Sequence, residues 1–241
     1  MSNLLFVGFV INFLLVLLFN KLPILTRAGW INAAILGTIL WSSLGFNGWF
    51  VVVIYLFLGS LVTKVGFKTK KSLGINEKRD GRRGPENVWG SAATATFFAV
   101  LIGLNLGNGY LLKIGFAASI VAKLSDTFGS EIGKSFGKKT YLITTLARVK
   151  PGTEGGITLP GTLASFLGAA LMAAIMYIFS FLISYNDFCL VVFAGFIATF
   201  FESFIGAKLQ TNFKWNNEFV NCLLTSFSAI LAIFFVIVCS N

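Results

Sequence analysis

Lys123, Asp126, Glu131 and Lys134 put two carboxylates and two ammonium groups within twelve residues of an otherwise apolar stretch. An ionised carboxylate at the end of an apolar helix is costly unless a cation or a metal partners it. Oxygen ligands of this kind hold hard cations such as Mg2+. On a helix, Lys123 and Asp126 are three residues apart and Asp126 and Ser130 four, so each pair shares a face. Asp126 and Glu131 are five apart, about 140° around an ideal helix, and converge on one ion only where the helix unwinds. Gly129 and Gly133 would permit that unwinding, because non-helical backbone is tolerated at membrane depth where it lines a cavity. The alternative is a helix end capped by charges, with Lys123 and Asp126 paired.

A second group runs from Arg148 to Thr162 and holds Lys150, Pro151, Gly152, Thr153, Glu154, Gly155, Gly156 and Gly161. Bare backbone N–H groups and hydroxyls that end on a helix N-terminus suit a phosphate. No G-K-[ST] closes the loop, so it is not a P-loop. Beside Asp126 and Glu131, it reads as the nucleotide-phosphate part of a metal-assisted site. A third group has Arg82 and Arg83 ahead of the Pro85, Glu86, Asn87 turn. Paired arginines clamp phosphate bidentately, and equally a Lys/Arg run just inside a membrane marks topology. A fourth holds Glu202, Ser203, Gly206, Lys208, Gln210, Asn216, Asn217, Glu218 and Asn221. Glu77 and Asp80 sit in a Lys/Arg-rich connection and read as charge balance on a solvated segment.

These groups must be carried by membrane helices. The chain has 241 residues, 56% hydrophobic and only 12% charged, with a mean hydropathy of +0.83. Soluble domains run at about 25% charged residues. Eight apolar stretches are long enough to cross a bilayer, approximately 4–19, 30–46, 49–67, 88–106, 110–127, 158–182, 188–207 and 219–239. Of the 19 Lys and Arg, 17 fall in the odd-numbered connections, counting Lys64 at the inner end of the 49–67 stretch. Positive loops stay on the side of synthesis. The expected fold is therefore an all-α, polytopic bundle of about eight spans, six at the least, forming a single integral membrane domain over 1–241 with both termini outside. Its long connections, 68–87 and 128–157, lie on a cytoplasmic working face. The absence of His excludes imidazole bases and His metal sites. Cys189, Cys222 and Cys239 lack the spacing of a zinc knuckle or redox pair. The +10 charge is a sidedness signal and not a nucleic-acid footprint, since no soluble domain presents it.

The strings Arg82–Pro85 with Val88–Ser91, Ser125–Thr127 with Ser130–Lys134, Pro151–Gly156, Glu202–Ser203 with Gly206–Ala207 and Leu209–Gln210, and Asn217–Glu218 with Val220–Asn221 resemble the phytyl-phosphate kinase family of the vitamin E pathway. That family also includes the vertebrate transmembrane protein nineteen. The resemblance covers most of the chain in order. Thr140–Thr145 leading into Arg148 is most similar to the cyanobacterial and plastid branch, with Lys150, Pro151, Gly152 and Gly156 as a departure in the loop. It implies phosphorylation of phytyl monophosphate to phytyl diphosphate for tocopherol and related prenyl-lipid synthesis. CTP is the implied donor, and a cyanobacterial plasma or thylakoid membrane the implied location.

The residue chemistry accommodates that reaction. A phosphate acceptor carries about −1.5 to −2 charge, so no general base is required. The difficulty is bringing two polyanions together, which calls for metal and cations. The implied assignment gives Mg2+ to Asp126 and Glu131, with Glu154 or Glu202. Lys134, Arg148 and Lys150 meet the nucleotide phosphates with Gly152, Thr153, Gly155 and Gly156. Arg82, Arg83 and Asn87 hold the acceptor phosphate, and the prenyl tail lies among Phe-rich spans in the bilayer. Two other classes use similar parts: a cytidylyltransferase acting on a lipid phosphate, which attacks the α-phosphorus, and a transporter, which would gather polar groups at the membrane midplane.

Overall fold

A computed structural model describes residues 2–210 and 213–239 of the chain. Among the described residues eight α-helices follow one another: α1 Ser2–Phe19, α2 Arg27–Lys64, α3 Phe67–Ser72, α4 Pro85–Gly103, α5 Gly109–Phe136, α6 Leu159–Ile178, α7 Tyr185–Ile205 and α8 Asn217–Cys239. Their starts are written in short polar residues. Thr26, Asn108, Thr158 and Ser184 each accept backbone N–H groups of the first turn of α2, α5, α6 and α7. Pro85 opens α4, where its missing N–H costs nothing.

α2 is two legs. Gly45, at φ 67° and ψ −160°, interrupts it. The carbonyl of Arg83 accepts from Thr26 N at 3.0 Å, while the Arg83 guanidinium donates to Tyr55 Oη at 2.9 Å. A straight helix rising 1.5 Å per residue would separate Thr26 from Tyr55 by about 43 Å. One arginine reaches both because the chain turns back at Gly45, which agrees with two apolar stretches at 30–46 and 49–67. Among the described residues four helical segments are long and apolar enough to cross a membrane: α2, α6, α7 continued to Gln210, and α8. α1 is a shorter apolar helix.

α5 occupies the middle, against α2, α4, α6, α7 and α8. Ile114, Phe116, Ala117, Ala118, Ile120, Val121, Ala122 and Leu124 are fully buried, as an all-round enclosed helix requires. Small residues let its neighbours approach. A Cβ on Gly161 would stand 2.8 Å from Gly129 O and 3.2 Å from Gly133 Cα. These glycines therefore serve the α5–α6 contact, and α5 runs unbroken through both. The expected unwinding at Gly129 and Gly133 is corrected accordingly.

The all-α expectation also needs amendment. The 128–157 connection begins as the last turns of α5 and then forms a three-stranded antiparallel sheet, with β1 Thr140–Leu142 between β2 Arg148–Val149 and β3 Gly156–Ile157. Thr140 pairs with Val149 and Tyr141 with Arg148 on one edge, and Tyr141 with Ile157 on the other. Strands this short leave no alternation to detect. The 68–87 connection likewise holds most of α3, a 3-10 turn at Lys78–Gly81 and the start of α4.

Gly161→Leu should lower stability by about 1–3 kcal/mol through overpacking, read as a fall of several degrees in the detergent melting temperature. Leu163→Ala, at an exposed position, should leave the melt in place. Equal melts for both would refute the close α5–α6 contact.

Candidate active site

A cavity of about 710 Å3 lies at one end of the bundle. Its lining comes from the last turns of α2 and α7 (Thr63, Thr199, Glu202, Ser203), the first turns of α4, α6 and α8, the second half of α5, and the 151–156 loop. Three helices therefore begin at this cavity, and helix N-termini present unpaired N–H groups and a partial positive charge to anions.

Many of the charges on the lining are partnered by another element or another turn. Lys123 Nζ meets Asp126 Oδ2 at 2.5 Å and Asn221 Oδ1 at 3.0 Å. Asn221 Nδ2 donates to Glu218 at 3.3 Å, and Glu218 accepts from Asn87 Nδ2 at 2.5 Å. Asn87 Oδ1 accepts from Gly84 N at 2.9 Å and from Arg79 Nη2 at 2.7 Å. Glu131, 2% exposed, is ion-paired with Lys70 of α3, 1% exposed, and Lys70 also donates to Thr63 O at 2.8 Å. Lys134 Nζ reaches Glu77 at 3.2 Å.

Burial alone would raise Glu77, but the Lys134 ammonium, joined by the charges of Lys123 and Arg83, holds that carboxyl below its usual value. At Glu154, partial enclosure raises the carboxyl; Lys134 pulls against this, and the charges of Asp126 and Glu77 add to it. Asp126, Glu154 and Glu202 are close enough for their charges to act on one another.

The cavity brings together Asp126, Glu131, Lys134, Arg82, Arg83, Asn87, Gly152, Thr153, Glu154, Gly155, Gly156 and Glu202. Arg148 and Lys150 do not line it; both are exposed, Arg148 on β2. Glu131 faces Lys70 while Asp126 faces Lys123, so the straight helix keeps the two carboxylates on separate partners. Among the described residues, no three acidic or thiol side chains gather into a metal cage. Mg2+ commonly takes one or two protein carboxylates together with substrate phosphates and water. One or two carboxylates drawn from Asp126, Glu154 and Glu202, whose charges act on one another, fit that lighter demand.

Sequence reasoning treated Glu77 as solvated balance, whereas it lines the cavity and binds Lys134. It also passed over Lys70, whose partner is 61 residues away, and Tyr55, which holds Arg83. Glu218 and Asn221 stand in the fourth polar group and in the strings that carry the family resemblance, but nothing local gives them their partners Asn87 and Lys123.

The fold and cavity define an integral membrane protein with a polar site at one end of its helices. The chain belongs to the family described as integral membrane protein DUF92, whose model matches residues 10–229. It is 47% identical to an uncharacterized membrane protein of Synechocystis sp., over 87% of this chain and 82% of that one. It is 40% identical to Protein VTE6, chloroplastic, of Arabidopsis thaliana, over 87% of this chain and 64% of that protein. An uncharacterized membrane protein of Methanocaldococcus jannaschii is 34% identical over 95% of this chain and 93% of its own. No solved structure matches. The family resemblance drawn from the Arg82–Ser91, Ser125–Lys134 and Pro151–Gly156 strings holds, on the cyanobacterial and plastid branch.

Lys70→Met should strand the buried Glu131 carboxylate and cost about 3–5 kcal/mol, a fall on the order of 10 °C in melting temperature. Adding Glu131→Leu should recover most of that loss, and a double variant as unstable as the single would contradict the pair.

Because Glu77 is depressed in the folded protein, the tether it makes to Lys134 is present above the ordinary carboxylate value and is lost as pH falls through its own lower one. Acidification should expose the adjoining Lys78–Gly81 turn to an acid-active protease. Glu77→Gln should expose it to trypsin at neutral pH, and equal trypsin resistance of variant and wild type would contradict the tether.

Proposed function

We propose that this protein is a membrane prenyl-lipid kinase that transfers the γ-phosphoryl group of a nucleoside triphosphate, CTP in preference, to phytyl monophosphate, giving phytyl diphosphate for tocopherol and related prenyl-lipid synthesis. The observation that carries the reading is the single cavity in which three helix N-termini, the cations Lys123, Lys134, Arg82 and Arg83, and the carboxylates Asp126, Glu154 and Glu202 converge. The similarity to the chloroplast protein VTE6 supports the same pathway.

The acceptor phosphate oxygen is already anionic. It forms the new bond to the γ-phosphorus as the bond from that phosphorus to the β,γ-bridging oxygen breaks, and the nucleoside diphosphate leaves with that electron pair. Arg82, Arg83 and Asn87 hold the acceptor phosphate, with Tyr55 fixing Arg83. Lys134, Thr153 and the backbone of Gly152, Gly155 and Gly156 hold the nucleotide phosphates. Arg148 and Lys150 act from outside the cavity by drawing the polyanion towards it. Asp126, with Glu154 or Glu202, would hold Mg2+, which would neutralise phosphate charge as the group transfers. Glu131 acts through Lys70, keeping α3 and the connection after it against α5.

The membrane arrangement follows the same reading. With α2 counted as two legs, eight helical legs alternate in direction, so the ends of α2, α5 and α7 and the starts of α4, α6 and α8 share one face. That face is cytoplasmic, both termini are outside, and the protein lies in a plasma or thylakoid membrane. The prenyl tail stays among the apolar helices, where each CH2 withheld from water contributes about 0.8 kcal/mol.

Purified protein given γ-labelled nucleotide, Mg2+ and phytyl monophosphate should place the label in phytyl diphosphate within a single turnover, and Asp126→Asn should reduce the rate at least 100-fold while the protein stays inserted. Pyrophosphate release with the nucleotide retained on the lipid would contradict the kinase and identify nucleotidyl transfer. A fully active Asp126→Asn protein would contradict the metal assignment.

A further inference from the structure

Three buried side-chain polar atoms lack a hydrogen-bond partner among the described residues: Trp30 Nε1, Thr140 Oγ1 and Gln210 Oε1. Two of the three, Thr140 and Gln210, line the main cavity. Buried polar atoms are almost always satisfied, and an orphan in a cavity wall marks where a ligand or water completes it. The two border one stretch of backbone. A Cβ on Gly156 would lie 2.8 Å from Thr140 Cγ2, and one on Gly206 would lie 3.6 Å from Gln210 Oε1 and 3.2 Å from Gly155 N. The orphans therefore flank the Gly155–Gly156 turn, beside the part of the loop that the functional reading gives to nucleotide phosphates.

An aromatic ring completes the set. Trp215 lines the same cavity, and its backbone N–H donates to Gln210 O at 3.0 Å, which fixes the two residues together. Phe213 stacks on the Trp215 ring at 5.5 Å and Phe219 meets it edge-on at 5.0 Å, so the ring is braced from its own segment. Gln210 itself ends a π-helical turn, Gly206–Gln210, a local geometry concentrated at functional sites. A flat ring, an amide and a hydroxyl around one pocket are the parts that bind a nucleobase: a face to stack on and an edge to read.

We infer that the base of the donor nucleotide binds at Trp215, Gln210 and Thr140, and that Gln210 and Thr140 set which base is preferred. The inference rests on the kinase reading for the nucleotide's presence and goes beyond it in locating base recognition. Trp215 supplies stacking to any base. Gln210 Oε1 requires an N–H donor from the base edge, and the Thr140 hydroxyl adapts as donor or acceptor to the neighbouring atom. A base that mismatches this edge leaves the orphans unpaired, which is how a polar pocket discriminates.

The test compares kcat/KM for CTP, ATP, UTP and GTP, with Mg2+ and phytyl monophosphate, in wild type, Gln210→Leu, Thr140→Val and Trp215→Phe, alongside quenching of tryptophan fluorescence by each nucleotide. Wild type should separate its best from its worst nucleotide by at least 10-fold. Gln210→Leu or Thr140→Val should compress that ratio to within about 3-fold, and Trp215→Phe should lose most of the quench. Transfer with an unchanged ranking and ratio in both polar-residue variants overturns this inference and leaves the kinase standing. Absence of transfer from every nucleotide overturns the kinase, and the quench then decides the base site: its dependence on Trp215 supports the site, and its absence or persistence without Trp215 overturns it.

Discussion

A charged group inside an apolar bundle must be partnered, and this requirement organises the molecule. Lys70 and Glu131 are almost fully buried and meet each other across 61 residues of chain. Lys123 is held by Asp126 on its own helix and by Asn221 of α8. From there the contacts run through Glu218 to Asn87 at the start of α4. Glu77 joins the connection after α3 to Lys134. Apart from the Lys123–Asp126 and Asn221–Glu218 contacts within single helices, each ties one element to another, and all lie at the same end of the helices. Elsewhere the bundle is held mainly by apolar packing of small, aliphatic and aromatic residues, with isolated hydrogen bonds such as Trp49 Nε1 to Asn12 and Tyr110 Oη to Asp187. The polar cavity exists because the partnered charges and the helix N-termini are gathered where the apolar packing stops.

Much of this was legible in the residues. Apolar length and the placement of Lys and Arg indicated membrane helices with a polar working end, and the charges between Lys123 and Lys134 marked the helix that carries it. The turn at Gly45 falls at the end of the first of two stretches already separable by composition. What escaped depends on partners distant in sequence or on geometry too short to show a period. Lys70 is one of several lysines in a basic run, and nothing local distinguishes the one that enters the interior. Glu77 read as solvated because its partner lies on α5. Gly129 and Gly133 suggested an unwound helix, yet the same absence of side chains also permits close approach of α6, and the second use prevailed. The strands between Thr140 and Ile157 have two or three residues each, below the length at which alternation can be recognised.

The arrangement explains how a protein without histidine can host phosphate chemistry. An acceptor that is already an anion needs no base. What it needs is relief of the repulsion between two polyanions, and the cavity offers cations from α5 and the 78–83 turn, backbone N–H groups from three helix starts and carboxylates suited to a divalent metal. Because those groups are held in place by the ion pairs that stabilise the bundle, stability and site geometry are coupled. In the proposed reaction the lipid tail and the phosphate would be handled by different parts of the same helices, the apolar lengths and the polar ends.

The central claim is that both phosphates meet in this one cavity. The most direct measurement is an electron cryomicroscopy structure of the protein in a lipid nanodisc with a non-hydrolysable nucleoside triphosphate, Mg2+ and phytyl monophosphate. The account predicts nucleotide phosphates between Lys134 and the Gly152–Gly156 loop, the acceptor phosphate at Arg82 and Arg83, and the metal at Asp126. Phosphate density bound elsewhere, with the cavity holding only water, would contradict it.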